Sequence, residues 1–214
     1  DYSISSPQEK PEWLTDVTVK LGQSVIREIN NSVAVTSTSL FSVALLTSST
    51  QTMDEDDLEE RINFFISLIE KSSEYKDVWI TQREVKDMIS KTKKLGFIEP
   101  IIIASKKVYR PTSDQVATLS FYKNNIVHLF ILYSLICESL KFVKKAPKEE
   151  IIKLIEMIYP IFAKDFHLKN EIIGKESIAN AIKVLQIKDI LLEDKTGNIM
   201  PPAENSLVFQ NYIA

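Results

Sequence analysis

Histidine, glycine and cysteine are the scarce residues of this 214-residue chain, with 2, 4 and 1 respectively. So few glycines fit neither a Gly-rich phosphate loop nor a dinucleotide fingerprint, and neither motif occurs. The single cysteine, Cys137, excludes an intramolecular disulfide and any multi-cysteine zinc site, and fits a reducing compartment. The two histidines leave little general acid–base chemistry. Five residues after His128 stands Tyr133, and five after His167 stands Ile172, so neither begins a His-x4-Asp motif. Neither lies in a His-x3-His or His-Glu-x2-His arrangement for zinc, and no Gly-x-Ser-x-Gly elbow is present. These absences predict no metal, no cofactor and no catalytic residues in this segment.

An excess of positive charge is missing too. The formal net charge is −3, so no global basic field would hold a polyanion, and nucleic acid is not expected as a partner. The longest apolar run, Ile126 to Cys137, is interrupted by His128 and Ser134 and is short for a bilayer span; it reads as a buried core helix. The polar opening, Asp1-Tyr-Ser-Ile-Ser-Ser-Pro, is no secretory signal. A start without Met is expected of a fragment, and the chain by itself is expected to be soluble.

What is present is ordinary globular material, 44% hydrophobic and 26% charged, rich in Ile, Leu, Lys and Glu and so inclined to helix. Residues 1–10, with Pro7, read as a linker. A helix from Glu12 to about Asn30 carries an imperfect apolar stripe, and a short buried helix is expected from near Ser37. Thr52 with Glu55, and Thr81 with Glu84, have capping-box spacing. The first opens an amphipathic helix to about Lys71; the second opens a helix ended by Gly96. Trp13 and Trp79, just before predicted helices, are expected to anchor them in the core. Phe97 to Ile103 and Val108 to Pro111 read as a β-hairpin, with Pro100 at an edge or bulge.

Thr112 and Gln115 open a helix that can run past Leu140, broken or not at Asn124-Asn125. Pro147 suits the first turn of the next helix, which Pro160 should bend or end. A helix near Lys175 to Leu185, a hairpin around Asp194-Lys-Thr-Gly-Asn, Pro201 and a last helix from about Ala203 repeat the order seen from Glu84 to Lys123. The expectation is a mainly α fold: a helical domain with two small β-hairpins in winged-helix-like helix-hairpin-helix units. The predicted divisions are an N-terminal helical part at 11–80, one unit at 81–145 and a second at 146–214; 81–214 can also form one domain with 11–80.

The most unusual local grouping is Phe121 to Phe130. On one continuous helix, Val116, Leu119, Ile126, Val127, Phe130 and Cys137 share a face. Asn124, Asn125 and His128 share another, continued by Phe121, Leu132 and Leu135. Burial on both sides would bring these amides and the imidazole to an interface. Two readings stay open there: structural fasteners, or groups facing a ligand or active site.

Tyr122-Lys123-Asn124-Asn125-Ile126-Val127-His128-Leu129-Phe130 resembles the Tyr-x-Asn-Asn-x-x-His-x-Phe segment of the large, membrane-associated glycerol-3-phosphate acyltransferases of bacteria and mitochondria. Ile29-Asn30 with Val35-Thr36-Ser37 and Val43-Ala44-Leu45-Leu46 is similar to the family's segment just beyond its catalytic domain. Tyr159-Pro160-Ile161-Phe162-Ala163-Lys164 resembles a segment near its C-terminus. The resemblance runs from about Leu14 to the end and implies a C-terminal accessory region of an enzyme of phospholipid biosynthesis. That enzyme moves a fatty acyl group from a CoA or carrier-protein thioester to glycerol 3-phosphate, with its His-x4-Asp motif upstream of Asp1. It further implies membrane association on a cytoplasmic or organelle surface and an upstream acyltransferase domain as partner. Tyr122, Asn124, Asn125 and His128 are then candidates for a domain interface or pocket.

Lys86, Lys91, Lys93, Lys94, Lys106, Lys107 and Arg110 cluster around the first hairpin, and Lys141, Lys144, Lys145 and Lys148 form another group. Solvated lysines at helix ends are the plain reading. Lys93, Lys94, Lys106, Lys107 and Arg110 are also candidates for contact with an anionic membrane surface. Cys137, on an apolar face, reads as a packing residue rather than a nucleophile. An autonomous protein-interaction scaffold of tandem winged-helix-like units is the alternative function, with nucleic-acid binding behind it.

Overall fold

The computed structural model describes residues 11–202 except 49, 77 and 169. In chain order it contains α1 (Glu12–Asn31), β1 (Ala34–Val35), α2 (Ser37–Leu46), α3 (Glu55–Glu70), β2 (Trp79–Ile80), α4 (Val85–Lys94), β3 (Ile98–Ile103), β4 (Lys106–Pro111) and α5 (Val116–Asn124). A 3₁₀ turn (Val127–Phe130) leads to α6 (Ile131–Val143), β5 (Ala146–Pro147), α7 (Lys148–Asp165), α8 (Lys175–Ile187), β6 (Leu192–Glu193) and β7 (Asn198–Met200). The fold is mainly helical, and its strands are confined to small sheets.

One order of elements occurs twice. In the first unit, α2 is followed by an extended Met53, then α3, α4 and the antiparallel β3–β4 hairpin; Met53 pairs with Tyr109 of β4 through bonds of 3.1 and 2.7 Å. In the second, α6 is followed by β5, α7, α8 and the β6–β7 hairpin, with β5 paired to β7. Each is helix, short extended segment, two helices and wing, with β2 added between the two helices of the first, so the winged-helix-like pattern includes the helix that precedes each extended segment. The last predicted helix, from about Ala203, lies outside the described residues.

Two expected capping boxes are not formed, and strand pairing explains both. Because Met53 is held extended against Tyr109, α3 can start only after it. Asp54 takes the cap, its carboxylate accepting from the Asp57 amide at 2.9 Å. Thr81 donates its amide to the Val35 carbonyl at 3.0 Å, prolonging the parallel β1–β2 pairing, so α4 begins at Val85 with no side-chain cap. A capping box does form at α2, where Thr36 and Ser39 exchange bonds. Gly96 ends the α4 segment at φ +72°, the left-handed conformation that glycine adopts without steric cost. Pro160 does not end α7, which continues to Asp165. Ile151, Ile155, Tyr159 and Ala163 bury its inner face on both sides of the proline, and that packing carries the helix across one lost hydrogen bond.

The core is one contiguous cluster through both units. α2 is apolar nearly all round and packs against α3, α4 and α5. α6 packs against α7 and α8. The junction is stitched by Phe65 against Phe130, ring centroids 4.9 Å apart, and by the Tyr133 hydroxyl donating to the Leu68 carbonyl at 2.9 Å. The tryptophan expectation is overturned. Trp13 is 62% exposed on a helix that buries none of its residues, and Trp79 is 58% exposed on a two-residue strand whose contribution is its backbone pairing.

No single helix among the described residues is long and apolar enough to cross a membrane. α5 and the helical stretch from Val127 to Val143 would pass together on composition but meet at 56°. The buried apolar residues of the latter stretch belong to the core cluster.

Candidate functional site

A cleft opens where α1 ends, between the 3₁₀ turn, the loop after α3 and the inner face of α7. It is lined by Asn30, Asn31, Glu74, Tyr75, Val78, His128, Tyr159, Leu168 and Asn170. Asn30, His128 and Tyr159 come from the three separate segments that resemble the acyltransferase family. Distant in sequence, they meet here because α1 and α7 both abut the turn that carries the histidine.

His128 is buried, and its Nε2–H donates to the Asn30 carbonyl at 3.2 Å. Its own carbonyl accepts from the Tyr75 hydroxyl at 3.3 Å. The Asn30 side-chain amide donates to the Phe166 carbonyl at 2.9 Å and to that of His167 at 3.4 Å. Glu74 accepts from Asn170 at 3.0 Å and from Ser177. These are fastener bonds joining α1, the turn, the end of α7 and the start of α8.

Burial lowers the His128 imidazole below its ordinary 6.5, opposed only by the bond to Asn30. Burial raises the Tyr133 and Tyr159 phenols to about 12, and that of Tyr75 further still. At neutral pH the imidazole and all three phenols are therefore uncharged. Among the described residues no histidine–carboxylate bond forms, and no group of three His, Cys, Asp or Glu side chains is placed to hold a metal ion. Cys137 is fully buried and burial pushes its thiol well above the ordinary range, which suits packing rather than attack.

The sequence grouping is only partly brought together. His128 enters the cleft, whereas Asn124 and Asn125 are exposed outside it. The continuous helical wheel that put the three on one face fails because α5 stops at Asn124 and the chain tightens into 3₁₀ geometry at Val127. Tyr122 is half-buried, its ring 6.2 Å from that of Phe97 and 5.8 Å from that of Phe121. Nothing in local sequence singled out Glu74 or Tyr75; their place follows from the loop between α3 and β2 folding back on the turn.

The basic residues around the first hairpin are exposed, but several are engaged. Lys93 donates to the Tyr109 hydroxyl at 3.1 Å, and that hydroxyl donates to Glu55 at 2.8 Å. Lys107 lies over the Tyr109 ring, 5.5 Å from its centroid. Arg110 pairs with Glu99 at 2.7 Å. Burial, Asp54 and Glu60 raise the Asp57 carboxyl while Lys106 lowers it, so Lys106 also faces acid. Lys94 is exposed and makes no ion pair among the described residues. Tyr109 was not singled out by its sequence neighbourhood, and the structure makes it the hub of this corner.

Replacing His128 by Ala is expected to destabilise the chain by about 1–3 kcal/mol, since it opens a gap and orphans the Asn30 carbonyl. The sign of its pH dependence is fixed by the lowered pKa. The folded state binds fewer protons than the unfolded state below 6.5, so stability is complete above 6.5 and declines as pH falls through the folded value. Denaturant titrations near pH 8 and pH 5 should show a larger acid loss for the natural chain than for His128→Gln. An equal loss would remove His128 as its source.

The chain matches the family model described as glycerol-3-phosphate acyltransferase C-terminal region over residues 3–213. It is 29% identical over 204 residues to a glycerol-3-phosphate acyltransferase of Alteromonas mediterranea, covering 94% of this chain and 25% of that protein. The enzyme of the same name from Pseudoalteromonas atlantica is 26% identical over 207 residues, covering 96% and 25%. That from Pseudomonas savastanoi is 21% identical over 204 residues, covering 95% and 24%. The chain thus spans about a quarter of the length of these curated relatives.

Proposed function

Because the chain belongs to the family of glycerol-3-phosphate acyltransferase C-terminal regions, we propose that it is the accessory, non-catalytic part of such an enzyme. The enzyme transfers a fatty acyl group from an acyl-CoA or acyl-carrier-protein thioester to glycerol 3-phosphate in phospholipid synthesis. The catalytic residues lie in an upstream domain, and the two winged-helix-like units support that domain by packing against it. The observation that carries this reading is the state of His128: the one histidine among the described cleft residues spends its Nε2–H on a backbone carbonyl, and among the described residues no bond to a carboxylate orients it as a base. The exposed Asn124, Asn125 and Phe121 supply polar and apolar groups for a domain interface. Lys94, Lys106 and Lys107, exposed and without an ion pair among the described residues, are the groups offered to an anionic membrane surface.

Acyl transfer to glycerol 3-phosphate, assayed with purified 214-residue chain and with the full-length gene product, tests the reading. Turnover is expected from the full-length protein alone. Turnover by the chain, or none by the full-length protein, overturns it.

A further inference from the structure

α1 is built to be covered, and none of its residues is buried among the described residues. At about 100° per residue, Trp13, Val17, Leu21 and Val25 follow one another in steps of about 40°, with Leu14 and Ile29 alongside. They form an apolar stripe along a helix about 30 Å long. Yet no residue of α1 is buried; Leu21 is 60% exposed and Ile29 63%. Among the described residues the helix is tied down near its C-terminal end, by the Arg27–Glu171 ion pair and the bonds of Asn30 to the Phe166 carbonyl and from His128.

We infer that the apolar stripe of α1 is the seat of the portion of the same protein that precedes this C-terminal region, an inference that rests on the function proposed above. Two observations favour that occupant. The relatives this chain matches are about four times its length and the matched family is a C-terminal region, so on the function proposed above α1 lies near the start of the region that follows the larger part of the protein. The chemistry of α1 also suits a folded protein surface better than the other occupants. A helix lying in a lipid interface carries a Lys/Arg-rich polar face, whereas the polar residues of α1 include Glu12, Asp16 and Glu28 against Lys20 and Arg27. A paired coiled coil needs an apolar seam sustained through its heptads, with at most an isolated polar position. Stepping from Leu14 in heptads meets Ser24 and Glu28 along one track, and Thr18 and Glu28 along the other.

Backbone hydrogen exchange of residues 12–31, compared between the 214-residue chain and the full-length protein, tests this directly. Exchange in α1 should slow by about tenfold or more in the full-length protein. The double variant Val17→Asp, Leu21→Asp should leave the melting curve of the 214-residue chain unchanged, because both side chains already face solvent. In the full-length protein it should restore fast exchange in α1, while Gln23→Asp, on the side of the helix opposite the stripe, should not. A full-length protein that transfers acyl groups yet exchanges α1 at the isolated rate overturns this inference and leaves the proposed function standing. A full-length protein that protects α1 but transfers no acyl group does the reverse. Protection of α1 in the 214-residue chain by anionic phospholipid vesicles, or by a self-association that the double variant abolishes, would also overturn it.

Discussion

Truncating Phe41 to Ala should cost about 3–5 kcal/mol, the range for emptying a large aromatic site in a core that cannot collapse. A domain of this kind holds about 5–15 kcal/mol in total, so the variant is expected to be partly unfolded near physiological temperature. Phe41 is fully buried on α2, whose other buried residues include Leu40, Val43, Ala44 and Leu45. Because α2 packs against α3, α4 and α5 at once, no single neighbour can move inward without opening a gap elsewhere. The buried Ser42 and Ser39 hydroxyls are already satisfied locally, Ser42 donating to the Thr38 carbonyl and Ser39 to that of Thr36. The loss is thus a packing loss. Phe41→Leu, which keeps most of the volume, should cost under about 1.5 kcal/mol. Urea denaturation of the three proteins measures both differences, and a loss below about 1 kcal/mol for Phe41→Ala would mean that α2 is not the centre of the first unit's core.

Tyr109→Ala should cost about as much, for a different reason. Its ring is fully buried beneath the ammonium groups of Lys93 and Lys107, its hydroxyl links Lys93 to Glu55, and its backbone pairs with Met53. One side chain therefore ties the β3–β4 wing to both α3 and α4. Removing it should cost about 3–5 kcal/mol and release the wing, so amide exchange over Ile98–Pro111 should accelerate more than in α6 or α7. Tyr109→Phe keeps the ring and loses only the hydroxyl bridge, worth about 0.5–1.5 kcal/mol. If Phe proved as damaging as Ala, the polar bridge rather than the packed ring would be holding the wing.

Most helices could be read from the chain because their signals are local. The apolar spacing of α3, the clustered small and apolar residues of α2, the glycine after α4 and the hairpin turn residues act within one or two turns of backbone, and each appears where the sequence predicts it. Starts were less legible than interiors. Thr52 and Thr81 have the right neighbours for caps, but strand pairing at Met53 and Thr81 claims the backbone first. Burial was the weakest inference. The tryptophans and the two asparagines look like core or interface residues by type, yet their exposure depends on whether another element reaches them.

The cleft shows the same division. Resemblance drew attention to Asn30, His128 and Tyr159 separately, but only the packing of α1 and α7 against the 3₁₀ turn puts them in one place, with Glu74 and Tyr75 added from a loop that carries no motif. By itself the sequence determined the scarcity that marks this protein: two histidines without an acid partner at motif spacing and a lone cysteine. Spacing and composition are properties of the chain before it folds. Only the tertiary structure decided that His128 fastens a backbone carbonyl, that Tyr109 anchors a wing and that α1 buries none of its residues among the described ones. Those outcomes depend on which distant elements meet, and no local pattern encodes that.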